Sequence, residues 1–280
     1  MKLTHVLSAA LIILTVSILH PVPLNAQYAA VTGSASSIGM IPTPFGYERI
    51  PLENDTYPHY VRQLPLKPSG SDVISWDDQV IHDADSIHAV IDWPKPTKVQ
   101  QCADVAIRLN AGYLRKTGNL QKIKYKSLSG VEISYTKWLN GKYSLSDTTH
   151  NIVYKKFNRE KEDAGDEFEK YLHFVMTYAN SSSLARDLKI VSDENIFPGN
   201  IFIQPDSSGK GGVGHVSVVL DICENTGGEK LYLFGYGFIP AQDFHLPLPA
   251  SDQGTEKWFT LDGFKDFIAH FGKGNFYRFD

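Results

Sequence analysis

Apolar side chains recur at helical spacing in residues 99–114, "VQQCADVAIRLNAGYL". The positions that share one face of this predicted helix are Cys102, Val105, Ala106, Leu109 and Tyr113. Just before this face, Thr97 followed by Gln100 matches a capping box, which marks the start of a helix. The pattern therefore predicts a helix that begins near Thr97, with Cys102 about one turn inside it and facing the core.

The second half of the chain contains runs of β-branched and apolar residues that are typical of buried strands. The predicted strands lie in Phe197–Pro205, Gly214–Cys223 ("GHVSVVLDIC") and Leu231–Phe238. Two further helices are predicted at Asp166–Tyr178 and Leu261–Phe271. We therefore expect an α+β domain in which the Cys102 helix packs on an antiparallel sheet built from about residues 200–238.

The first residues have the layout of a secretory signal peptide. Lys2 precedes an apolar run from Val6 to Leu19, and a polar exit ends at Ala26. The apolar run is shorter than the ~20 residues that a membrane span needs. We expect a signal peptide over residues 1–26, a flexible Gly-, Ser- and Pro-rich arm over residues 27–58, and one α+β domain over residues 59–280. The mature chain would then be periplasmic or extracellular, with no stable membrane span.

Composition and charge narrow the range of partners. With 42% hydrophobic and 12% aromatic residues, the chain can form a hydrophobic core that needs no disulfide bonds for stability. The formal net charge is −4, and removal of Lys2 with the signal peptide makes it one unit more negative. Since the chain has no basic stretch, we expect no nucleic acid partner.

The chain has only two cysteines, Cys102 and Cys223, and an exported chain favours a disulfide. The alternating pattern of the strand places His215 and Cys223 on one face, roughly 27 Å apart. A disulfide needs Cα atoms within roughly 7 Å, so Cys102 cannot both bond to Cys223 and lie beside His215. Cys102 is therefore a nucleophile beside His215, a small core residue, or half of a disulfide.

The catalytic alternative rests on the needs of a thiol nucleophile, which is activated by a helix N-terminus and a neighbouring imidazole. His215 opens a buried strand and follows Gly211, Gly212 and Gly214. Glycines at such a position let a substrate approach the backbone closely. Cys102 and His215 are therefore the candidate nucleophile and general base.

The order of these motifs resembles that of the NlpC/P60 and CHAP branches of papain-like cysteine peptidases. The matching pieces are "QCADVAIRL" (Gln101–Leu109), "PGNIF" (Pro198–Phe202) and "GHVSVVL" (Gly214–Leu220). The resemblance implies a papain-like fold, with Cys102 as nucleophile and His215 as base. The serine and glycine that follow the nucleophile in that motif are Ala103 and Asp104 here.

Residues 45–250 also resemble an uncharacterised exported bacterial family, a domain of unknown function. The pieces that carry this second resemblance are "LPLKPSGS" (Leu64–Ser71), "QQCADVAIRL" (Gln100–Leu109) and "PAQDFH" (Pro240–His245). Because the activity of that family is not established, this resemblance implies no chemistry.

A third catalytic group would orient the imidazole from the next strand. Counting across the turn Glu224–Lys230, with Cys223 paired to Lys230, places His215 opposite about Phe238. The nearby polar candidates are Gln242, which we choose as the third catalytic group, and Tyr236. Tyr236 and Trp138 are the candidate substrate-binding residues, although for Trp138, predicted in a hairpin, covering the core is the favoured interpretation.

The stretch "HDADSIH" (His82–His88) contains two histidines and two aspartates, which suggests a metal site. It lacks the pair of histidines four residues apart that helix-borne zinc sites use, and a solvated acidic loop is the better interpretation. We therefore expect no cofactor and no metal.

Taken together, the candidate residues and the resemblance to NlpC/P60 and CHAP peptidases imply an exported cysteine hydrolase of peptidase or amidase type. Its expected substrate is peptidoglycan peptide or another peptide of the cell envelope. The alternative is a non-catalytic envelope-binding module on a degenerate peptidase-like scaffold.

Overall fold

The structure is a computed structural model, and it describes residues 35–141, 144–145, 152–153, 161–205 and 214–280. The predicted signal peptide and the glycines Gly211 and Gly212 lie outside the described residues. The helices of the described part are α1 (Tyr57–Arg62), α2 (Cys102–Lys116), α3 (Tyr135–Leu139), α4 (Gly165–Tyr178), α5 (Ser181–Asp187) and α6 (Leu261–Phe267).

The strands in the first part of the chain are β1 (Tyr47–Arg49), β2 (Val73–Ile74), β3 (Val80–His82), β4 (Ile87–Val90), β5 (Lys124–Lys126), β6 (Glu132–Ser134), β7 (Ser144–Leu145) and β8 (Ile152–Val153). Those that follow are β9 (Lys189–Val191), β10 (Ile201–Gln204), β11 (His215–Asn225), β12 (Lys230–Gly235), β13 (His245–Pro247), β14 (Gly254–Thr255), β15 (Trp258–Phe259) and β16 (Asn275–Arg278).

An antiparallel sheet forms the centre of the fold, in the order β14-β15-β12-β11-β10-β16-β9. Strand β1 adds to β11 beyond the end of β10. The longest strand is β11, which is buried from His215 to Cys223. The predicted α+β class with an antiparallel sheet is confirmed.

Each face of the sheet carries its own hydrophobic core. On one face, α2 packs on Val216, Val218 and Leu220 of β11. On the other face, α6 packs on Val219 and on Phe234 of β12. Consecutive side chains of a strand point to opposite faces, so His215 lies on the α6 face, with Val219.

A β-bulge divides β11 into two stretches of different parity. The pairing with β12 shifts by one residue between Val219 and Asp221, and such an extra residue reverses the alternation beyond it. Cys223 therefore lies in the α2-side core, opposite to the face of His215. The prediction that His215 and Cys223 share a face is wrong for this reason.

The described part of the predicted N-terminal arm is packed against the sheet. Strand β1 pairs with the end of β11, and the Ile38 and Ile41 side chains are buried. Arg49 Nε donates to Asp221 Oδ2 at 2.7 Å, and Arg62 Nε donates to Asp221 Oδ1 at 2.6 Å. From residue 35 onward this segment is part of the folded domain, because its apolar and arginine side chains have buried partners.

The predicted helices near Asp166–Tyr178 and Leu261–Phe271 correspond to α4 and to α6, which a 3-10 turn at Ala269–Phe271 extends. Trp138 lies in the short helix α3 instead of the predicted hairpin. In the described part of the chain, no helix is both long and apolar enough to cross a membrane.

Candidate functional site

Helix α2 begins at Cys102, not near Thr97. The Gln100 N–H donates to Thr97 O at 2.9 Å in a single turn that does not continue. The first helical turn is instead closed by Asp104, whose Oδ2 accepts the N–H of Gln101 at 2.8 Å. Cys102 is therefore at the helix N-terminus, where free backbone N–H groups and the helix dipole favour negative charge.

The Cys102 thiol lies against the backbone on both sides of His215. Its Sγ donates to Gly214 O at 3.8 Å, and the backbone N–H of Val216 lowers the pKa of the thiol. The N–H groups of Ala103 and of Cys102 itself also act on the sulfur. Backbone N–H groups of the first turn of α2 and of the start of β11 thus all favour the thiolate of Cys102.

Burial nevertheless keeps this thiol protonated. Desolvation raises the pKa of Cys102 to about 11, the Val216 N–H lowers it, and the Asp104 carboxylate raises it again. The N–H groups of Ala103 and Cys102 lower it by less. At neutral pH Cys102 is a neutral thiol.

The chain that follows β12 no longer pairs with β11, because their pairing ends at Val218 and Gly235. Tyr236 exchanges two backbone hydrogen bonds with His245, at 3.0 and 3.1 Å. Gly237 then passes so close to α2 that a Cβ there would lie 2.9 Å from Val105 Cγ2. This close approach explains the glycine, and it brings the end of the hairpin to the start of α2.

The His215 ring is held by aromatic side chains. It stacks on Phe271 with 4.4 Å between ring centroids, and it meets the rings of Tyr236 and Phe238 at 5.1 and 5.6 Å. Neither ring nitrogen has a hydrogen-bond partner among the described residues, so no hydrogen bond joins it to Cys102. Burial lowers the pKa of His215 to about 3, helped by the nearby His270 and His245, so its ring is neutral at pH 7.

Tyr236, a predicted substrate-binding residue, lies between two buried histidines. Its ring meets His215 on one side and His245 on the other, at 5.1 and 4.9 Å. His245 Nδ1 lies 3.1 Å from Asp243 O, and burial lowers the pKa of His245 to about 4. Tyr236 is thus in ring contact with the candidate base.

Gln242, the predicted third catalytic group, is buried on the Cys102 side of β11. Its backbone oxygen would lie 3.6 Å from a Cβ on Gly237, the residue that approaches α2. The Oε1 of Gln242 is buried without a hydrogen-bond partner among the described residues.

Sequence reasoning missed Gln204, which lies directly opposite His215 in the pairing of β10 with β11. Its Nε2 donates to Ile268 O at 2.9 Å and to Gly272 O at 2.6 Å. Its Oε1 is buried and has no partner among the described residues. In the sequence Gln204 is a polar side chain next to the end of the predicted strand Phe197–Pro205, and that position alone indicates no role.

Trp138, the other predicted substrate-binding residue, belongs to the packing of α3 on α4. Its Nε1 donates to Glu167 Oε1 at 2.8 Å, and its ring meets those of Phe174 and Tyr171 at 5.2 and 6.1 Å. Lys161 Nζ lies 4.3 Å from the centre of the same ring. These contacts bring Trp138 to α4 and not to Cys102 or His215.

Both cysteines are free and buried in the structure. Cys223 lies beside Arg49 in the pairing of β1 with β11. Burial raises the pKa of Cys223 to about 12.

A cavity of about 510 Å³ lies apart from these side chains. Its walls include Lys67, His88 and Trp258, and none of Cys102, His215 and Gln242 lines it. Within the described ranges, no group of three or more His, Cys, Asp and Glu side chains could hold a metal ion.

Comparison with known proteins gives one match. The family model of a domain of unknown function, DUF4846, matches residues 39–278. The chain belongs to this family. No curated protein and no solved structure matches it. The expected resemblance to a domain of unknown function is therefore confirmed, while the chemistry of this DUF4846 chain has to be argued from its own residues.

Proposed function

We propose that this DUF4846 chain is an exported cysteine hydrolase with a papain-like active site. Cys102 is the nucleophile and His215 is the general base. The observation that carries the proposal is that α2 begins at Cys102 and that its Sγ lies 3.8 Å from Gly214 O, the residue before His215.

The reaction starts from two neutral groups. A neutral imidazole can accept a proton, so His215 takes the thiol proton as Cys102 Sγ attacks the carbonyl carbon of an amide or ester. His215 returns this proton to the leaving amine or alcohol as the bond to the carbonyl carbon breaks. Water then attacks the acyl-Cys102 thioester, with His215 accepting its proton, and the acid and the free thiol are released.

Backbone N–H groups can stabilise the negative charges that form on the sulfur and on the carbonyl oxygen during this reaction. The N–H groups of Cys102 and Ala103 lie at the first turn of α2, where they can donate to an oxyanion. The Val216 N–H acts on the sulfur itself. The step requires the His215 ring to come within hydrogen-bond distance of Sγ, and such bonds often tighten only when substrate is bound.

The expected substrate is peptidoglycan peptide or another envelope peptide. This proposal rests on the signal-peptide layout of residues 1–26 and on the NlpC/P60-like order of the motifs. Export would place the chain in the periplasm or outside the cell, where such peptides occur.

A second candidate is a non-catalytic binding module that keeps the scaffold. Its supporting observation is the burial of the thiol, which raises the pKa of Cys102 to about 11, together with the missing hydrogen bond to His215. A buried neutral thiol packs as a small apolar side chain.

A cleavage assay distinguishes the hydrolase from the binding module, with muropeptides released from peptidoglycan by a muramidase as the substrate. The hydrolase predicts new free amino groups, detected by mass spectrometry, from the wild-type chain and from Cys223→Ala. Cys102→Ala and His215→Ala should each lower the rate at least ~100-fold, as expected for loss of a nucleophile or base. Equal binding of muropeptides by wild type and Cys102→Ala, without cleavage, would favour the binding module.

A further inference from the structure

Gln204 and Cys102 lie on opposite flanks of His215. Along a strand, the backbone N–H and C=O groups of one residue point to one neighbouring strand, and those of the next residue point to the other. The N–H and C=O of Val219 bond to Asn200 and Gly199, which precede β10, so Val219 points to the β10 side. His215 has the same parity and pairs with Gln204 of β10. Gly214 points the other way, toward the β12 side, and its oxygen contacts the Cys102 thiol. His215 thus lies between the nucleophile and Gln204.

The side chains of Gln204 and His215 stand on the same face of the sheet. The Gln204 amide reaches Ile268 and Gly272, and the His215 ring stacks on Phe271 in the same turn. Opposite Cβ atoms of antiparallel strands are about 4.5–5.5 Å apart. A modest rotation of the imidazole therefore brings one of its nitrogens to the Gln204 amide.

The orientation of the Gln204 amide is fixed by its neighbours. Two carbonyl oxygens, of Ile268 and Gly272, take both protons that Nε2 can donate. The amide cannot flip without facing these carbonyls with its own oxygen. Its Oε1 is therefore a pre-oriented acceptor, buried and without a partner among the described residues.

A neutral histidine that acts as a base needs its second nitrogen held by an acceptor, which fixes the tautomer. Both His215 nitrogens lack a described partner, and Gln204 offers the buried acceptor on the flank away from the thiol. We propose that Gln204 is the positioning residue of the site: its Oε1 accepts the N–H of His215 and leaves the other nitrogen free to face Cys102.

This inference rests on the proposed hydrolase and replaces Gln242 in the role of the orienting group. Gln242 lies by Gly237, on the flank of β11 that carries Cys102. That flank is the one from which His215 must take the thiol proton.

Nitrogen-15 NMR of the imidazole in the full chain tests the proposal without requiring activity. We expect a single neutral tautomer of His215 in the wild type, with its signals assigned by their loss in His215→Ala. Gln204→Met removes the amide at similar length and should give averaged signals of two interconverting tautomers.

Two control variants make the result specific. Gln242→Met should keep the single tautomer, and so should Phe271→Leu, which loosens the same turn but leaves the Gln204 acceptor. A single tautomer in folded Gln204→Met, or its loss in Gln242→Met, would overturn the proposal. If Gln204→Met does not fold, cross-peaks between the His215 N–H and the Gln204 amide in the wild type decide instead, and cross-peaks to Gln242 would overturn it.

The NMR result is separate from the fate of the hydrolase. If the tautomer depends on Gln204 but the chain cleaves no muropeptide, the proposed function is rejected and the contact between Gln204 and His215 stands. Cleavage that depends on Cys102 and His215, with a tautomer independent of Gln204, rejects only the positioning role.

Discussion

His215 and His245 are almost completely buried as neutral rings, and this gives the fold a defined response to acid. Their pKa values fall to about 3 and about 4, in each case mainly through burial. An unfolded histidine titrates near 6.5. Between these values the unfolded chain binds protons that the folded chain does not.

The resulting stability is fully present above pH 6.5 and is lost as pH falls toward about 4 for His245 and about 3 for His215. Each of the two rings should remove about 1.4 kcal/mol of unfolding free energy per pH unit in this window. Urea unfolding at pH 7.5, 6.5, 5.5 and 5.0 checks this, and His245→Gln should weaken the dependence. His173→Gln, at an exposed position of α4, should leave it unchanged. A constant unfolding free energy from pH 7.5 to 5.0 would contradict the account.

At the scale of residues, the sequence could single out the candidate residues that carry reactive groups, and their catalytic role stays a prediction. Cys102 and His215 follow from the scarcity of cysteine and from a histidine that opens a buried strand. Gln204 could not be chosen this way, because its role depends on two carbonyl groups about 65 residues later in the chain. A glutamine that ends an apolar strand carries no local signal of such partners.

At the scale of elements, the start of α2 shows how a sequence signal can be displaced. Thr97 and Gln100 have the residue types of a capping box, but Asp104 closes the first turn and moves the start of the helix to Cys102. The aspartate three residues after Gln101 was the competing signal.

The hairpin of β11 and β12 shows two errors that cancel. Cys223 pairs with Leu231 and not with Lys230, and the bulge near Asp221 shifts the register back by one residue. His215 therefore meets Phe238 as counted, with 5.6 Å between rings. The bulge itself has no clear sequence pattern, so the face of Cys223 could not be predicted.

The same bulge contains Asp221, whose buried carboxylate binds arginine side chains of the N-terminal segment and of α1. Asp221 is completely buried, and Arg49 and Arg62 both bond to it. Asp221→Asn should lower the unfolding free energy by about 3–5 kcal/mol, because two guanidinium groups lose their counter-charge. Urea unfolding measures the loss. Asp166→Asn, in the exposed pair with Lys170, serves as the control and should change little; an equally small effect at Asp221 would contradict this role.

At the scale of the whole molecule, the sequence predicts the α+β class and the central antiparallel strands, because alternation and helical spacing are local patterns. It could not predict that β1 joins the sheet and that residues 35–58 pack on the domain, since β1 pairs with β11 and Arg49 bonds to Asp221, more than 160 residues away. Short segments rich in Gly, Ser and Pro look like an arm when their partners are distant.

The central claim for the molecule is that the start of α2 and the start of β11 meet to form a nucleophile and its base. The most direct measurement is the rate of Cys102 alkylation by iodoacetamide from pH 6 to 11 in folded Cys223→Ala, where Cys102 is the only thiol. We expect labelling of the folded chain that still rises above pH 8, because the pKa of Cys102 is about 11. Adding His215→Ala should slow labelling at pH 8 by ~10-fold or more, as expected when a general base is lost, and adding His173→Ala should not. Equal rates with and without His215, or labelling only after denaturation, would contradict the claim.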